Sequence, residues 1–311
     1  MKIRTPLATF FIVLCFSAVA YAQTAQQYFD AGLKHYKNKD YARAIESYTA
    51  AIRLEPGSTA AWYNRGQAYY FLGNCIAAVS DYSNAIARDA KNVNAYFQRG
   101  LCKKRLGQIA AAVEDYTTAI GLSPTDATIW YNRGISRKEL GSDDLAIADY
   151  SEAIRLSPRY AKAFINRGAV YFKQKKYKEA LADANKGIEL DPTSAEAWNN
   201  RGVLYSAIGT YDRALADINE AMKLRPDYPK AYLDRAIAYT RMGRRDLAIA
   251  DLDHAIKLDP AYRGAYLMRG AVRFDRKEYA LARADFEKVL ALDPGNKLAT
   301  KGLAQLKALG Q

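Results

Sequence analysis

From Ala25 to Asn296 the chain repeats every 34 residues, eight times, with no insertion or deletion. A strict period of this length demands that each segment make the same contacts as its neighbours, so the fold grows by stacking rather than around one central core. The segment Ala195 to Tyr228, AEAWNNRGVLYSAIGTYDRALADINEAMKLRPDY, shows the content of one period. Its apolar residues recur at helical spacing in two runs. Gly209 ends the first, because a residue without Cβ enters the left-handed conformation that closes a helix. Pro226 stops the second, since proline lacks the N–H that a continuing helix would use. Neither helix buries its apolar stripe alone, so each hairpin requires a neighbour.

The columns of the repeat are consistent. The fourth place is aromatic throughout: Tyr28, Trp62, Tyr96, Trp130, Phe164, Trp198, Tyr232 and Tyr266. The eighth is Gly32, Gly66, Gly100, Gly134, Gly168, Gly202, Ala236 and Gly270, and the twentieth is alanine from Ala44 to Ala282. Small residues there let paired helices approach closely, and the aromatic fills the gap between units. Proline holds the thirty-second place in all units but one, where Ala90 stands.

These residues and their spacing resemble the tetratricopeptide repeat family, whose pattern is W-x2-L-G-x2-Y, then A-x3-F, A and P. The resemblance implies an all-α, right-handed superhelical solenoid with first helices on its concave side. Eight helix-turn-helix units are expected at 25–58, 59–92, 93–126, 127–160, 161–194, 195–228, 229–262 and 263–296. Residues 297–311 read as a capping helix, with Leu303 and Leu306 turned inward and a polar outer face.

The seventh place departs from the family pattern. It is Arg65, Arg99, Arg133, Arg167, Arg201, Arg235 and Arg269 in units two to eight, and the twenty-third is Asp81, Asp115, Asp149, Asp183, Asp217, Asp251 and Asp285. A hairpin that turns near its fifteenth residue sets these places opposite each other, so an ion pair is expected inside each of the seven units. An arginine rail for an anionic ligand is the alternative.

The sixth place reads Asn64, Gln98, Asn132, Asn166, Asn200 and Asp234, with Asp30 and Met268 breaking the series at its ends. An amide offers both a donor and an acceptor, so a row of them can hold the backbone of an extended chain whatever its side chains. The row is similar to the asparagine ladder in the superhelical domain of O-linked N-acetylglucosamine transferase. Tyr63, Phe97 and Tyr131 stand beside it at the fifth place and are expected to face the same groove. The expected partner is therefore a protein or an extended peptide. The two-carboxylate clamp of chaperone-binding relatives needs asparagine at the ninth place, where this chain has Leu33, Gln67, Leu101 and Ile135, so no clamp is expected.

No catalytic signature, phosphate loop or metal-ligand spacing occurs, and no cofactor or metal is expected. The chain is read as a non-enzymatic scaffold, a monomer or weak oligomer. Cys75 and Cys102, in neighbouring units, are either a disulfide or small apolar filling. The formal charge of +13 is spread thinly, apart from Lys162–Lys186 (KQKKYK at 173–178) and Lys297, Lys301 and Lys307. A nucleic-acid reader would carry a continuous basic stripe, so nucleic acid is not an expected partner. Recruitment of envelope polymers or enzymes through the basic surface is the alternative function. Residues 1–22 have a basic head at Lys2 and Arg4, an apolar run from Leu7 to Ala20 and the cleavage pattern Ala20-Tyr21-Ala22. They read as a secretory signal cut after Ala22, leaving a periplasmic or secreted product without stable membrane insertion.

Overall fold

The structure, a computed structural model, describes residues 24–310; the signal reading and its cleavage site lie outside them. The described residues are all-α, with 17 helices. The first helix, α1, spans residues 24–37. It is followed by α2 (Tyr41–Leu54), α3 (Thr59–Phe71), α4 (Cys75–Arg88), α5 (Val93–Arg105), α6 (Ile109–Leu122), α7 (Ala127–Glu139) and α8 (Asp143–Leu156). After these come α9 (Ala161–Lys173), α10 (Tyr177–Leu190), α11 (Ala195–Ala207), α12 (Tyr211–Leu224), α13 (Pro229–Arg241), α14 (Arg245–Leu258), α15 (Arg263–Asp275), α16 (Tyr279–Leu292) and the cap α17 (Lys297–Ala308). Odd-numbered helices open the hairpins and even-numbered ones close them.

The turns follow from their residues. Gly73, Gly107, Gly141, Gly209 and Gly243 sit at the fifteenth place with φ between 75° and 83°. Three units place lysine there instead, and Lys39, Lys175 and Lys277 take the same left-handed conformation at φ 60–63°, against the steric preference of an L-residue. Ser58, Asn92, Asp126, Ser194 and Asn296 cap the helices that follow them by accepting a backbone N–H.

The chain divides into two compact units, one ending at Pro158 and one beginning at Arg159. In each, from α3 onward every helix packs on its hairpin partner, and the second helices within a unit pack on the first helix of the next hairpin. The alanines of the twentieth place are buried in every hairpin, at most 2% exposed. In the C-terminal unit the successive first helices α9, α11, α13, α15 and α17 also touch one another, whereas successive second helices make no comparable contact. The stack there closes on its first-helix side, which makes that side concave. The cap covers the last hairpin with Ala299 and Leu306, both fully buried beside Phe286.

Candidate partner-binding groove

Behind the groove lies a repeated polar lock. Arg65 donates through Nε and a terminal nitrogen to both oxygens of Asp81, each at 2.8 Å. The same pairing closes at 2.7 Å for Arg99–Asp115, Arg133–Asp149 and Arg201–Asp217. It is 2.8 Å for Arg167–Asp183 and 2.6 Å for Arg235–Asp251 and Arg269–Asp285. All seven carboxylates are buried, at 1–6% exposure, where an unpaired charge would cost several kcal/mol (about 3–5). Hydrogen bonding to the aspartate raises the pKa of Arg65, Arg167, Arg201 and Arg235.

The arginines do more than close their own hairpins. A terminal nitrogen of Arg65 reaches back to Thr49 of the preceding unit at 3.0 Å, Arg99 to Ser83 at 3.0 Å and Arg133 to Thr117 at 3.1 Å. Arg201 and Arg235 do the same to Asn185 and Asn219, and Arg269 to Asp253. All these acceptors occupy the twenty-fifth place, a polar column that the sequence displays but that hairpin pairing alone does not single out. Each guanidinium also lies over the fourth-place aromatic of its own helix, from 4.7 Å at Trp130 to 5.9 Å at Tyr232. Trp62, Trp130 and Trp198 donate their indole N–H to the carbonyls of Pro56, Pro124 and Pro192, which fastens the loop between hairpins. With aspartate, neighbour and ring all engaged, these guanidiniums are spent on structure and form no open anion rail.

The eleventh place completes the lock in two ways. Where it is tyrosine, as at Tyr69, Tyr171, Tyr205 and Tyr239, the ring stacks on the arginine. Where it is basic, Lys103, Arg137 and Arg273 bring a second cation to Asp115, Asp149 and Asp285 at 2.8–2.9 Å. Burial lowers the pKa of Arg137 despite its contact with Asp149.

The sixth-place residues sit on the first helices and are partly exposed. Asn64, Asn132 and Asn166 each donate to the carbonyl four residues back, at 2.8, 2.8 and 3.1 Å. One N–H of each is therefore used internally. Asn200 makes no such bond and lines a cavity of about 240 Å³ floored by Ile165, Ala169 and Phe172. Asp234 is fixed by Lys230 at 2.8 Å and by Asn199 at 2.7 Å; it is a tied carboxylate rather than an open rung. Gln98 keeps a buried carbonyl oxygen without a partner.

Tyr63, Phe97 and Tyr131 are half-buried, like the amides beside them, and are held from below. Each ring tilts onto a fully buried tyrosine of its own second helix, Tyr82, Tyr116 or Tyr150, at 5.7–5.9 Å, because glycine at the eighth place leaves room for that tyrosine beneath. Cys75 and Cys102 are free thiols, both buried with Ala78 and Tyr82. They act as small apolar filling; burial, then a hydrogen bond with Cys75, pushes the Cys102 thiol up.

A second cavity, of about 580 Å³, opens in the C-terminal unit between α13, α15 and α17, with Phe286 at its floor. The sixth place there is Met268 and then Gly302, so the amide row gives way to an apolar hollow. Leu298, on its rim, is 63% exposed. Among the described residues no group of His, Cys, Asp and Glu could hold a metal ion, and no helix is long and apolar enough to cross a membrane.

Tetratricopeptide repeat families match the chain at residues 59–92, 161–194, 184–216 and 233–297. A further TPR repeat family matches at 32–73, 103–141 and 136–175. Comparison with curated proteins gives no significant match. Among solved structures, a tetratricopeptide repeat protein from Parabacteroides merdae superposes with a TM-score of 0.71 at 23% identity, over 80% of this chain and 98% of that one. The pilF protein of Pseudomonas aeruginosa does so at 0.58 and 16% identity, over 70% of this chain and 96% of its own. Yeast Tom70 gives 0.59 at 18% identity, over 91% of this chain and 63% of its own. Likenesses this distant speak to fold alone, and they agree with the family matches, which span most of the repeats. The chain belongs to the tetratricopeptide repeat family.

Proposed function

We propose that this protein is a non-enzymatic scaffold that holds an extended segment of a protein partner on the face formed by its first helices. Tetratricopeptide repeat scaffolds generally mediate protein–protein interactions. The row of amides at the sixth place carries the reading. Asn64 and Asn132 present a carbonyl oxygen and a remaining N–H outward, at a spacing fixed by the repeat. That pair of groups matches the alternating N–H and C=O of an extended backbone. The partner's side chains would then be read elsewhere, in the hollows of the C-terminal unit.

A peptide array probed with the parent and with the Asn132→Ala/Asn166→Ala variant tests this reading. Bound peptides should be lost or weakened about tenfold, the size expected from two hydrogen bonds of about 0.5–1.5 kcal/mol each. An identical array pattern for the two proteins would remove the groove from the account. The second reading, recruitment through the basic surface, draws on the exposed turn between α9 and α10, where Lys175, Lys176 and Lys178 face solvent. It predicts binding that falls with Lys175→Glu/Lys176→Glu and with salt. Export belongs to the same proposal and rests on residues 1–22; a mature N-terminus at Gln23 is the expected result of terminal sequencing.

A further inference from the structure

The helix that caps the solenoid differs in charge from every hairpin before it. From Lys297 to Gln311 there is no acidic residue, and three lysines project from α17. Lys297 and Lys301 lie one turn apart on one face, and Gln305 continues that face by another turn, a row about 12 Å long at 1.5 Å per residue. The lysines are exposed and make no ion pair with any described residue, whereas all fourteen arginines and aspartates of the repeated lock have a partner within 3 Å in their own hairpins.

Lys301 and Gln305 of this row line one side of the 580 Å³ hollow, and Lys297 stands one turn before them at its edge. The hollow itself is apolar. Leu267, Phe274 and Phe286 line it, and Ala271 at the ninth place is too small to fill the space above them; Asp275, at the end of α15, is the one acidic group in the lining, against the lysines of α17. Met268 and Gly302 stand where amides stand earlier, so the sixth place offers no amide here to bind a backbone. A concave apolar site with a few polar groups on one side is the usual form of a side-chain binding pocket. The exposed rim at Leu298 leaves it with no covering group from the chain's own described residues.

We infer that the hollow and the lysine row together bind an extended partner segment in which large apolar residues alternate with acidic ones. The inference rests on the proposed groove function and names the partner chemistry at one end of it. Charge complementarity selects the occupant. In an extended segment, side chains two residues apart lie on one edge about 6.8 Å apart, close to the rise of about 6 Å between Lys297 and Lys301. The carboxylates would face α17 while the intervening apolar side chains enter the hollow.

Fluorescence polarisation of the full chain with three labelled, C-terminally amidated peptides tests the inference. The probes are GGDLDFDLGG, the same peptide with asparagine for each aspartate, and the same peptide with serine for each leucine and phenylalanine. The first should bind saturably, and both substituted peptides should bind at least tenfold more weakly. Lys297→Glu/Lys301→Glu should weaken the first probe at least tenfold, and Ala271→Asp should abolish its binding. Circular dichroism melts matching the parent exclude unfolding; Lys301→Gln, milder at this exposed position, gives an intermediate loss if the charge is what counts. Equal binding to the parent and the lysine variant overturns the inference, as does failure of the first probe to bind. A dimer that Leu298→Lys dissolves also overturns it, by placing a second copy in the hollow. The peptide array with Asn132→Ala/Asn166→Ala judges the wider groove reading separately. Loss there with no effect of the lysine variant would keep the groove and discard this site.

Discussion

The first four hairpins and the last four share a backbone plan but fill it differently. At the twenty-fourth place the N-terminal unit has Tyr48, Tyr82, Tyr116 and Tyr150, all fully buried; the C-terminal unit has Ala184, Ile218, Leu252 and Phe286. The fifth place changes with it, from Phe29, Tyr63, Phe97 and Tyr131 to Ile165, Asn199, Leu233 and Leu267. In the first set each ring leans on the tyrosine below, at 5.7–5.9 Å and about 50°. In the second set the ring-on-ring pairs are absent, and the two apolar cavities described above open there. One period therefore supports two kinds of inner face. A ring-filled floor supports polar groups that read a backbone, and an aliphatic floor leaves hollows that read side chains.

Breaking the lock should have the largest effect, and it should be larger where two cations share one carboxylate. Asp149, held by Arg133 and Arg137, should lose about 3–5 kcal/mol on change to alanine, since two partly buried guanidiniums are orphaned. Asp217→Ala orphans Arg201 alone and should cost less, and Asp217→Asn less again, because an amide oxygen still accepts a hydrogen bond. Urea midpoints rank the three; midpoints equal to that of the parent would show the pairs to be idle.

Next comes the close approach under the rings. A Cβ added at Gly100 would meet Tyr116 at 2.6 Å, whereas at Gly168 the nearest atom is Asp183 Cβ at 3.1 Å, because Ala184 offers no ring. Gly100→Ala should therefore cost about 1–3 kcal/mol by overpacking. Gly168→Ala should cost little, its contact offset by better helix propensity of about 1 kcal/mol. The native Ala236 at this place in the C-terminal unit already shows that an alanine fits there. Equal losses at both glycines would contradict the difference between the floors.

The rings also carry an electrostatic signature. The hydroxyls of Tyr48, Tyr116 and Tyr150 are buried without a hydrogen-bond partner, while that of Tyr82 reaches Gln67 at 3.3 Å. Burial pushes the Tyr48 phenol up to about 12, and the other three are raised as well. A raised phenol pKa favours the protonated, folded state. Its contribution is constant below the unfolded value of about 10 and is lost as the pH climbs from there through the folded value. Tyr150→Phe should stabilise by about 1 kcal/mol at neutral pH and flatten the alkaline fall above pH 10. Melting curves at pH 8 and 11 measure both. The smallest effect is expected at the turns, where Lys39→Gly and Lys175→Gly should each raise the melting temperature slightly, by relieving about 1 kcal/mol of left-handed strain.

The period, the turns and the arginine–aspartate columns were legible because each repeats eight or seven times and obeys local chemistry. The reach-back to the twenty-fifth place was visible as a polar column, but its meaning depends on how far a guanidinium extends between hairpins, which no single period discloses. The tilt of the fifth-place rings was hidden for a related reason. A helical wheel shows which face a ring is on, while its tilt is set by what lies beneath, here a glycine and a tyrosine sixteen residues apart. The hollow beside the cap was the least legible feature. It arises from side chains that are small or missing at Ala271 and Gly302, and a gap leaves no motif.

The reach-back also bears on how such a chain can change length. Within each unit the lock arginines, Arg65 for one, draw on an aspartate in their own hairpin and an acceptor in the one before, at fixed offsets of sixteen residues either way. Excising any whole period from the interior joins an arginine to an equivalent acceptor and leaves no orphaned charge. Duplicating one does the same. Loss of a fraction of a period breaks both offsets at once. The wiring that fastens the hairpins therefore also counts them in whole numbers, and it lets the chain be shortened or extended only in steps of 34 residues.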